Sequence, residues 1–381
     1  MNGWRWLTGY AYSWRFILRV VIKALVLFVL ANLIFAVSNP IPLLGHVSVY
    51  NWLIPGRDRL PYWESNESYN LGIYSIEAMF SSHKISQPKR SDEYRVVVVG
   101  DSSVWGILLN NNDTLTGNLN KAQIKVGDKT LVAYNIGHPV MSVTKDLMLL
   151  EYALSYQPDL IVWPVTLEGM PNSKQLDVPL AQNNALHIRS LIRRFNLKLD
   201  PNDSRLVDPD FWGRTIIGQR RALADWWRLQ LYGIDWATTD IDQVNGPYTP
   251  RANDLNADVT WQGFTQEGSF QASDIALDVL KAGHTLAGNI PVLMINEPIF
   301  IADGRNSNVR YNFWYPKWAY DHYRDLLAQT ATAEHWNYID LWDSIAPADF
   351  TDSPVHMNPH GSEQFSVSVG QTIIDYMNSK Q

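Results

Sequence analysis

Cysteine is absent from all 381 residues, which removes disulfides, thiolate nucleophiles and cysteine-held metals from consideration. Any massing of positive charge is also absent. The net charge of −7 is spread along the chain, so no basic stripe is available to neutralise phosphates, and nucleic acid is not an expected partner. No fixed-period repeat or low-complexity tract stands out, which argues against a solenoid. Charged residues make up only 18% of the chain against 46% hydrophobic. That balance builds a sizeable core, and the length suits one large domain with an insertion or two modest ones. Aromatic residues are plentiful, with 16 Trp and 18 Tyr. They serve cores, membrane interfaces and sugar-stacking surfaces alike, so their number does not choose among those uses.

One strongly apolar stretch is present, at residues 16–37. As a helix it would be ~33 Å long at ~1.5 Å per residue, the thickness of a bilayer's hydrocarbon core. Its two charges, Arg19 and Lys23, lie near its start on one helix face, where long side chains can reach back to the interface. Arg5 and Arg15 precede it, and the next basic residue after Lys23 is Arg57. This asymmetry predicts a single-pass protein of the cell membrane, with residues 1–15 in the cytoplasm and everything beyond Pro40 outside. Trp4, Trp6, Tyr10, Tyr12 and Trp14 would supply an interfacial aromatic belt. Ala36-Val37-Ser38 also offers a small-x-small pattern for signal cleavage, and a buried core helix is a third reading. A retained anchor and a cleaved signal both export the remainder.

Residues 38–92, punctuated by prolines, read as a linker and a short packed prelude. From residue 93 the pattern changes. Arg95-Val-Val-Val-Val-Gly100 is a continuous β-branched run, the mark of a strand buried on both faces of a parallel sheet. Similar runs follow at 131–136, 160–163, 291–295 and, weakly, 338–340. Helix-like segments at Val143–Tyr156, Lys317–Thr330 and Ser362–Met377 alternate with them. The alternation predicts a three-layer α/β/α sandwich with a mostly parallel, flavodoxin-like sheet over 93–381. A helical insertion at about 169–289, rich in tryptophan around Trp226-Trp227, is expected to cap the edge where ligands gather.

Gly100-Asp101-Ser102-Ser103-Val104-Trp105-Gly106 follows the first strand directly. A serine here can expose its hydroxyl above the sheet while its own N–H, at a helix start, faces an oxyanion. An ordinary helix N-cap would look the same. Near the other end stands Thr351-Asp-Ser-Pro-Val-His356-Met-Asn-Pro-His-Gly361, before a final amphipathic helix. A carboxylate just ahead of a loop histidine can orient the imidazole as it takes a serine proton. His356 and His360 have the spacing of a helical metal pair, but Pro354 and Pro359 disfavour a helix there.

This pair of blocks resembles the GDSL/SGNH hydrolase family over about 95–378, with the insertion unmatched. The resemblance implies Ser102 as nucleophile, His356 as general base and the N–H of Gly137 as an oxyanion donor. It implies no metal and no cofactor. Two departures are visible. The family's acid lies three residues before the histidine, where this chain has Ser353, so Asp352 is assigned and Asp349 is the alternative. The family's third block ends in Gly-x-Asn-Asp, where this chain has Thr166-Leu-Glu168-Gly, leaving Thr166 to complete the oxyanion hole. Asn296 and Glu297, at the end of a strand, and His138 are expected at the substrate.

These readings imply an extracytoplasmic serine esterase or O-acyltransferase, its substrate a small ester or an acylated glycan, with a membrane protein as a further partner. The competing readings are a non-catalytic tethered binding or assembly subunit on the same scaffold, and a lipase-like or thioester hydrolase with an aromatic cap.

Overall fold

The computed structural model describes residues 12–54, 56–63, 70–265 and 269–380. Trp4, Arg5, Trp6 and Tyr10, which figured in the topology reading above, lie outside them. Six strands form one sheet: β1 (Glu93–Gly100), β2 (Lys125–Val126), β3 (Lys129–Gly137), β4 (Leu160–Val165), β5 (Val292–Asn296) and β6 (Asn337–Asp340). Their order is β2-β3-β1-β4-β5-β6. All neighbours are parallel except the short β2, which runs antiparallel to β3.

The valine run of β1 is continuous because both of its faces are covered. Val97 and Val99 join one apolar cluster, and Val96 and Val98 join another on the opposite face. Helices of the chain include α1 (Trp14–Ser38), α2 (Ser102–Trp105), α3 (Leu115–Lys121), α4 (Val143–Ala153), α5 (Ala185–Phe195), α6 (Arg220–Thr239), α7 (Leu277–Ala287), α8 (Lys317–Ala333) and α9 (Pro359–Asn378). Leu147, Ile188, Leu280 and Tyr323, from α4, α5, α7 and α8, pack with Val97 and Val99. Leu119 of α3 and Val369 of α9 pack with Val96 and Val98. Three layers result. β1 lies between β3 and β4, so the chain leaves it in one direction and later returns on its other side. Ligands gather at the strand ends beside such a switch, and Ser102 stands there.

The insertion is narrower than the alternation of segments suggested. α7 is the ordinary crossover helix into β5, seated so closely on the sheet that a Cβ on Gly283 would fall 2.2 Å from the Trp163 ring. Within residues 38–92 the packed prelude contributes directly to the core. Leu60, Leu71, Ile76, Met79 and Phe80 are all fully buried in the larger core cluster. Arg57 forms a buried ion pair with Asp242 at 2.8 Å and lies 3.9 Å over the Trp236 ring. Prelude and insertion thus make one collar. Arg59 and Trp105 attach it to the turn after β1: the Arg59 guanidinium donates to the Gly106 and Leu109 carbonyls, and the Trp105 indole donates to the Leu60 carbonyl.

α1 stands largely apart from this body. Only Asn32 and Ala36 are buried along it. Its most apolar 18-residue window has a mean hydropathy of 2.7, and only 11% of that window is buried. The helix is long and apolar enough to cross a membrane, and its exposure disfavours a core helix.

Candidate active site

The turn after β1 sets the geometry. Asp101 caps α2 by accepting the Ser103 N–H at 2.9 Å, and Gly106 closes the helix at a φ of 86°. Ser102, 9% exposed, heads this single turn. Its Oγ lies 2.9 Å from Nε2 of His356, a residue 254 positions away. His356 Nδ1 lies 2.8 Å from Asp352 Oδ1.

The contact between Asp352 and His356, four residues apart, is held because the intervening loop is pinned. Phe350 and Met357 pair across it, the Thr351 N–H donates to the His356 carbonyl at 2.8 Å, and the Phe300 N–H donates to the Pro354 carbonyl at 2.7 Å. The hydrogen bond from His356, above all, holds the Asp352 carboxyl below the usual carboxylate range, and the bond from the Thr351 hydroxyl adds to it while burial opposes. Asp349, the alternative acid, is occupied elsewhere. It pairs with His360 at 3.0 Å and accepts from Asn358.

The expected oxyanion donors differ in their engagement. Among the described residues the Ser102 N–H has no partner. Gly137 ends β3 directly beside α2, where a Cβ would fall 2.5 Å from the Trp105 nitrogen, so only glycine fits. Its N–H, however, donates to Asn135 Oδ1 at 3.0 Å. Asn135 also donates from Nδ2 to the Val104 carbonyl at 2.7 Å, tying β3 to the turn that carries Ser102. Sequence reading missed Asn135, although a lone polar residue among buried strand positions was a usable signal. The Thr166 hydroxyl pairs with the Tyr315 hydroxyl at 3.2 Å, and Tyr315 also accepts the Glu168 N–H at 3.0 Å. Tyr315, fully buried, braces the third-block turn.

Asn296, Glu297 and His138 were expected at the substrate, and all three are buried. Asn296 Nδ2 donates to Asp340 at 2.9 Å, and its Oδ1 accepts from Tyr320 and Tyr323. Glu297 is 1% exposed, with Oε2 bonded to the Ser103 hydroxyl. Burial, reinforced by Asp101 and Asp146, pushes its carboxyl well above the ordinary range. His138 is packed edge-on to Tyr62 and bonded through Nδ1 to the Pro139 carbonyl. Burial, then Lys145, pushes its imidazole down to about 3. Strand-end position brings residues near the catalytic edge, but the alternation of side chains sends some of them under it.

The same layer holds Lys145, which sequence reading also passed over. Its side chain is fully buried, and Nζ donates to the Gly100 carbonyl at 3.0 Å and to the His138 carbonyl. Asp146 Oδ1 lies 2.8 Å from the same nitrogen, in ion-pair range but off the line of a hydrogen bond.

Above Ser102 and His356 opens a cleft of about 400 Å³, lined by Val140, Met141, Val178 and Trp314 and by Glu168, Lys174, Asp177 and Ser353. Glu168, which as a lone anion would repel a developing oxyanion, is paired with Lys174. Val140 holds a φ of 68°, a left-handed conformation costly for a β-branched side chain. Asn312 shapes the rim by accepting the N–H groups of Trp314 and Tyr315.

No family model matches the chain, and no curated protein is significantly similar to it. Among solved structures it aligns with the native aryl esterase of M. smegmatis at a TM-score of 0.34 and 10% identity, over 74% of this chain and 98% of that one. A carbohydrate acetylesterase from Sinorhizobium meliloti aligns at a TM-score of 0.34 and 10% identity, over 74% and 99%. A carbohydrate acetylesterase family member from the same organism aligns at 0.31 and 13%, over 74% and 98%. Likeness this distant carries no weight on function, which rests on the chemistry of the site itself.

Proposed function

We propose that this chain is a serine ester hydrolase or O-acyltransferase of the SGNH type, tethered outside the cell membrane and acting on O-acyl groups of a glycan. The observation that supports it is the hydrogen-bonded series Asp352–His356–Ser102 opening on the 400 Å³ cleft. His356 Nε2 takes the Ser102 proton as Oγ attacks the ester carbonyl, and Asp352 holds Nδ1–H and stabilises the imidazolium. Collapse of the tetrahedral intermediate breaks the ester C–O bond, and His356 returns its proton to the departing hydroxyl. Water then resolves the acyl-enzyme in a hydrolase; a second sugar hydroxyl does so in a transferase. The Ser102 N–H is the ready oxyanion donor. Gly137 serves once Asn135 Oδ1 gives up its N–H, and Thr166 once its hydroxyl turns from Tyr315.

The glycan assignment rests on the family resemblance together with the apolar N-terminal helix, since tethered relatives of that kind edit acyl groups on surface polysaccharides. A second reading, a tethered scaffold without catalysis, is favoured by the engagement of both Gly137 and Thr166 in bonds to protein. A fluorophosphonate probe separates the two. The full chain in detergent should label at Ser102, release acetate from acetylated oligosaccharides and lose both with Ser102→Ala. Failure of the unaltered chain to label at neutral pH would establish the scaffold reading.

A further inference from the structure

The apolar character of the N-terminal helix does not stop where the helix stops. From Ala24 to Gly56, 33 consecutive residues carry no Lys, Arg, Asp or Glu, so the uncharged run outlasts α1 by 18 residues. A segment leaving the membrane for bulk water would not be built this way. Three of its large side chains are also turned outward: Leu43, Trp52 and Leu53 are 72%, 73% and 78% exposed.

The insertion continues that surface. The stretch around Tyr50 packs along α6: the Val49 N–H donates to Gln230 Oε1 at 2.7 Å, Trp226 Nε1 donates to the Val47 carbonyl at 3.2 Å, and Gly233 seats the Tyr50 ring. With Leu229, Gln230, Gly233 and Trp236 buried on its inner side, α6 exposes Trp227, Leu231 and Ile234. At about 100° per residue these three fall within roughly 60° of arc, a single stripe beside the Gln230 row. The loop entering α6 adds exposed Trp212 and Ile217. The Ile217 N–H donates to Asn32 Oδ1 in α1. Asn32 is six residues from the end of α1, ~9 Å along its axis at ~1.5 Å per residue. If α1 spans a bilayer, that bond sets this loop at the depth of the outer headgroup layer, ~5–10 Å thick.

We propose that residues 41–54 together with the Trp227–Leu231–Ile234 stripe of α6 form a second membrane-contacting face, seated in the phospholipid headgroup and upper acyl region of the leaflet from which α1 emerges. The inference rests on α1 being a retained membrane anchor. Tryptophan and leucine exposed side by side suit that boundary, where an aromatic ring meets both apolar chains and water. The consequence is positional. A single tether would let the catalytic body swing freely, whereas a seated α6 fixes the height and orientation of the cleft above the lipid.

The lack of cysteine makes the test clean, because each introduced thiol is the only one. Nitroxide labels are placed at Trp52→Cys, Leu231→Cys, Val26→Cys in α1 and Val367→Cys on the remote α9, and the full chain is reconstituted in phosphatidylcholine–phosphatidylglycerol vesicles. Collision with a water-soluble nickel chelate should be about fivefold lower at 52 and 231 than at 367, with collision by oxygen raised, as for side chains at the acyl boundary. Aqueous values at 52 and 231 alongside a lipid value at 26 would overturn the inference while leaving the anchor standing. An aqueous value at 26 would overturn both. Protection at 52 and 231 in native membranes but not in pure lipid would assign the face to a protein partner and overturn the lipid assignment.

Discussion

Two sets of acid–base side chains meet the turn at residues 100–103, and they are built in opposite ways. Ser102, His356 and Asp352 form a line with one end open, and the Asp352 side chain is 37% exposed. Beneath them Lys145, Asp146, Glu297 and His138 are buried. Burial drives each titrating member of the lower set whose shift is resolved toward its neutral form, Glu297 and Asp146 upward and His138 downward. In the proposed mechanism the upper set passes a proton when a substrate arrives. Glu297, Asp146 and His138 are pushed toward their neutral forms, while Lys145 holds the Gly100 and His138 carbonyls and Glu297 holds the Ser103 hydroxyl. Residue type does not separate the two sets, since each contains at least one carboxylate and a histidine. What separates them is connection to the cleft.

The comparison would break most visibly at His356. His356→Gln keeps a polar side chain of similar reach but cannot accept and return the serine proton. Turnover of an acetyl ester should fall by about 10⁴-fold or more, while the unfolding free energy shifts by less than ~1 kcal/mol. Equal losses of stability and activity would mean that the upper set is structural as well. Initial rates and urea unfolding on the same preparation decide it.

Lys145→Met is the mirror experiment. It strands Asp146 without its cation and leaves the Gly100 and His138 carbonyls without their donor, at full burial. Removing one member of a buried pair costs about 3–5 kcal/mol. The urea midpoint should drop accordingly, and any loss of activity should follow unfolding rather than precede it. A variant as stable as the parent would show that Lys145 does not brace the turn.

Much of the fold was legible because patterning is local. The valine run of β1, the strand–helix alternation and the long apolar helix each express a period or a length. Ser102 and His356 could be paired across 254 residues because a doubly wound sheet brings its first and last loops together. Three things were not legible. Residues 38–92 read as a linker with only a short packed prelude, because the buried residues there, Leu60, Leu71 and Ile76, are scattered among prolines and their partners come from remote segments. Asn296 and Glu297 were expected at the cleft because sequence gives the end of a strand but not which way each side chain turns beyond it. Lys145 looked like any helical lysine, since nothing nearby in sequence announces the two carbonyls that receive it.

Glu297→Gln tests the same division at its finest. The folded carboxyl is pushed well above its ordinary range by burial, then by Asp101 and Asp146, with Oε2 on the Ser103 hydroxyl and Oε1 without a partner among the described residues. In the unfolded chain a glutamate ionises near pH ~4.3. A raised folded pKa means the group's contribution to stability is fully present below that value and is lost as pH climbs toward the folded one. Glutamine is neutral throughout and close in shape, so it removes this loss. The variant should therefore match the parent in acid and become progressively the more stable of the two as pH rises, by at most ~1.4 kcal/mol per pH unit. Unfolding midpoints taken in steps from pH ~4.5 to ~8.5 read this directly. The expectation of a substrate-binding Glu297 predicts something different: a raised KM and a stability difference that does not change with pH. Growth of the difference with pH assigns Glu297 to the lower set, and a constant difference moves it to the upper.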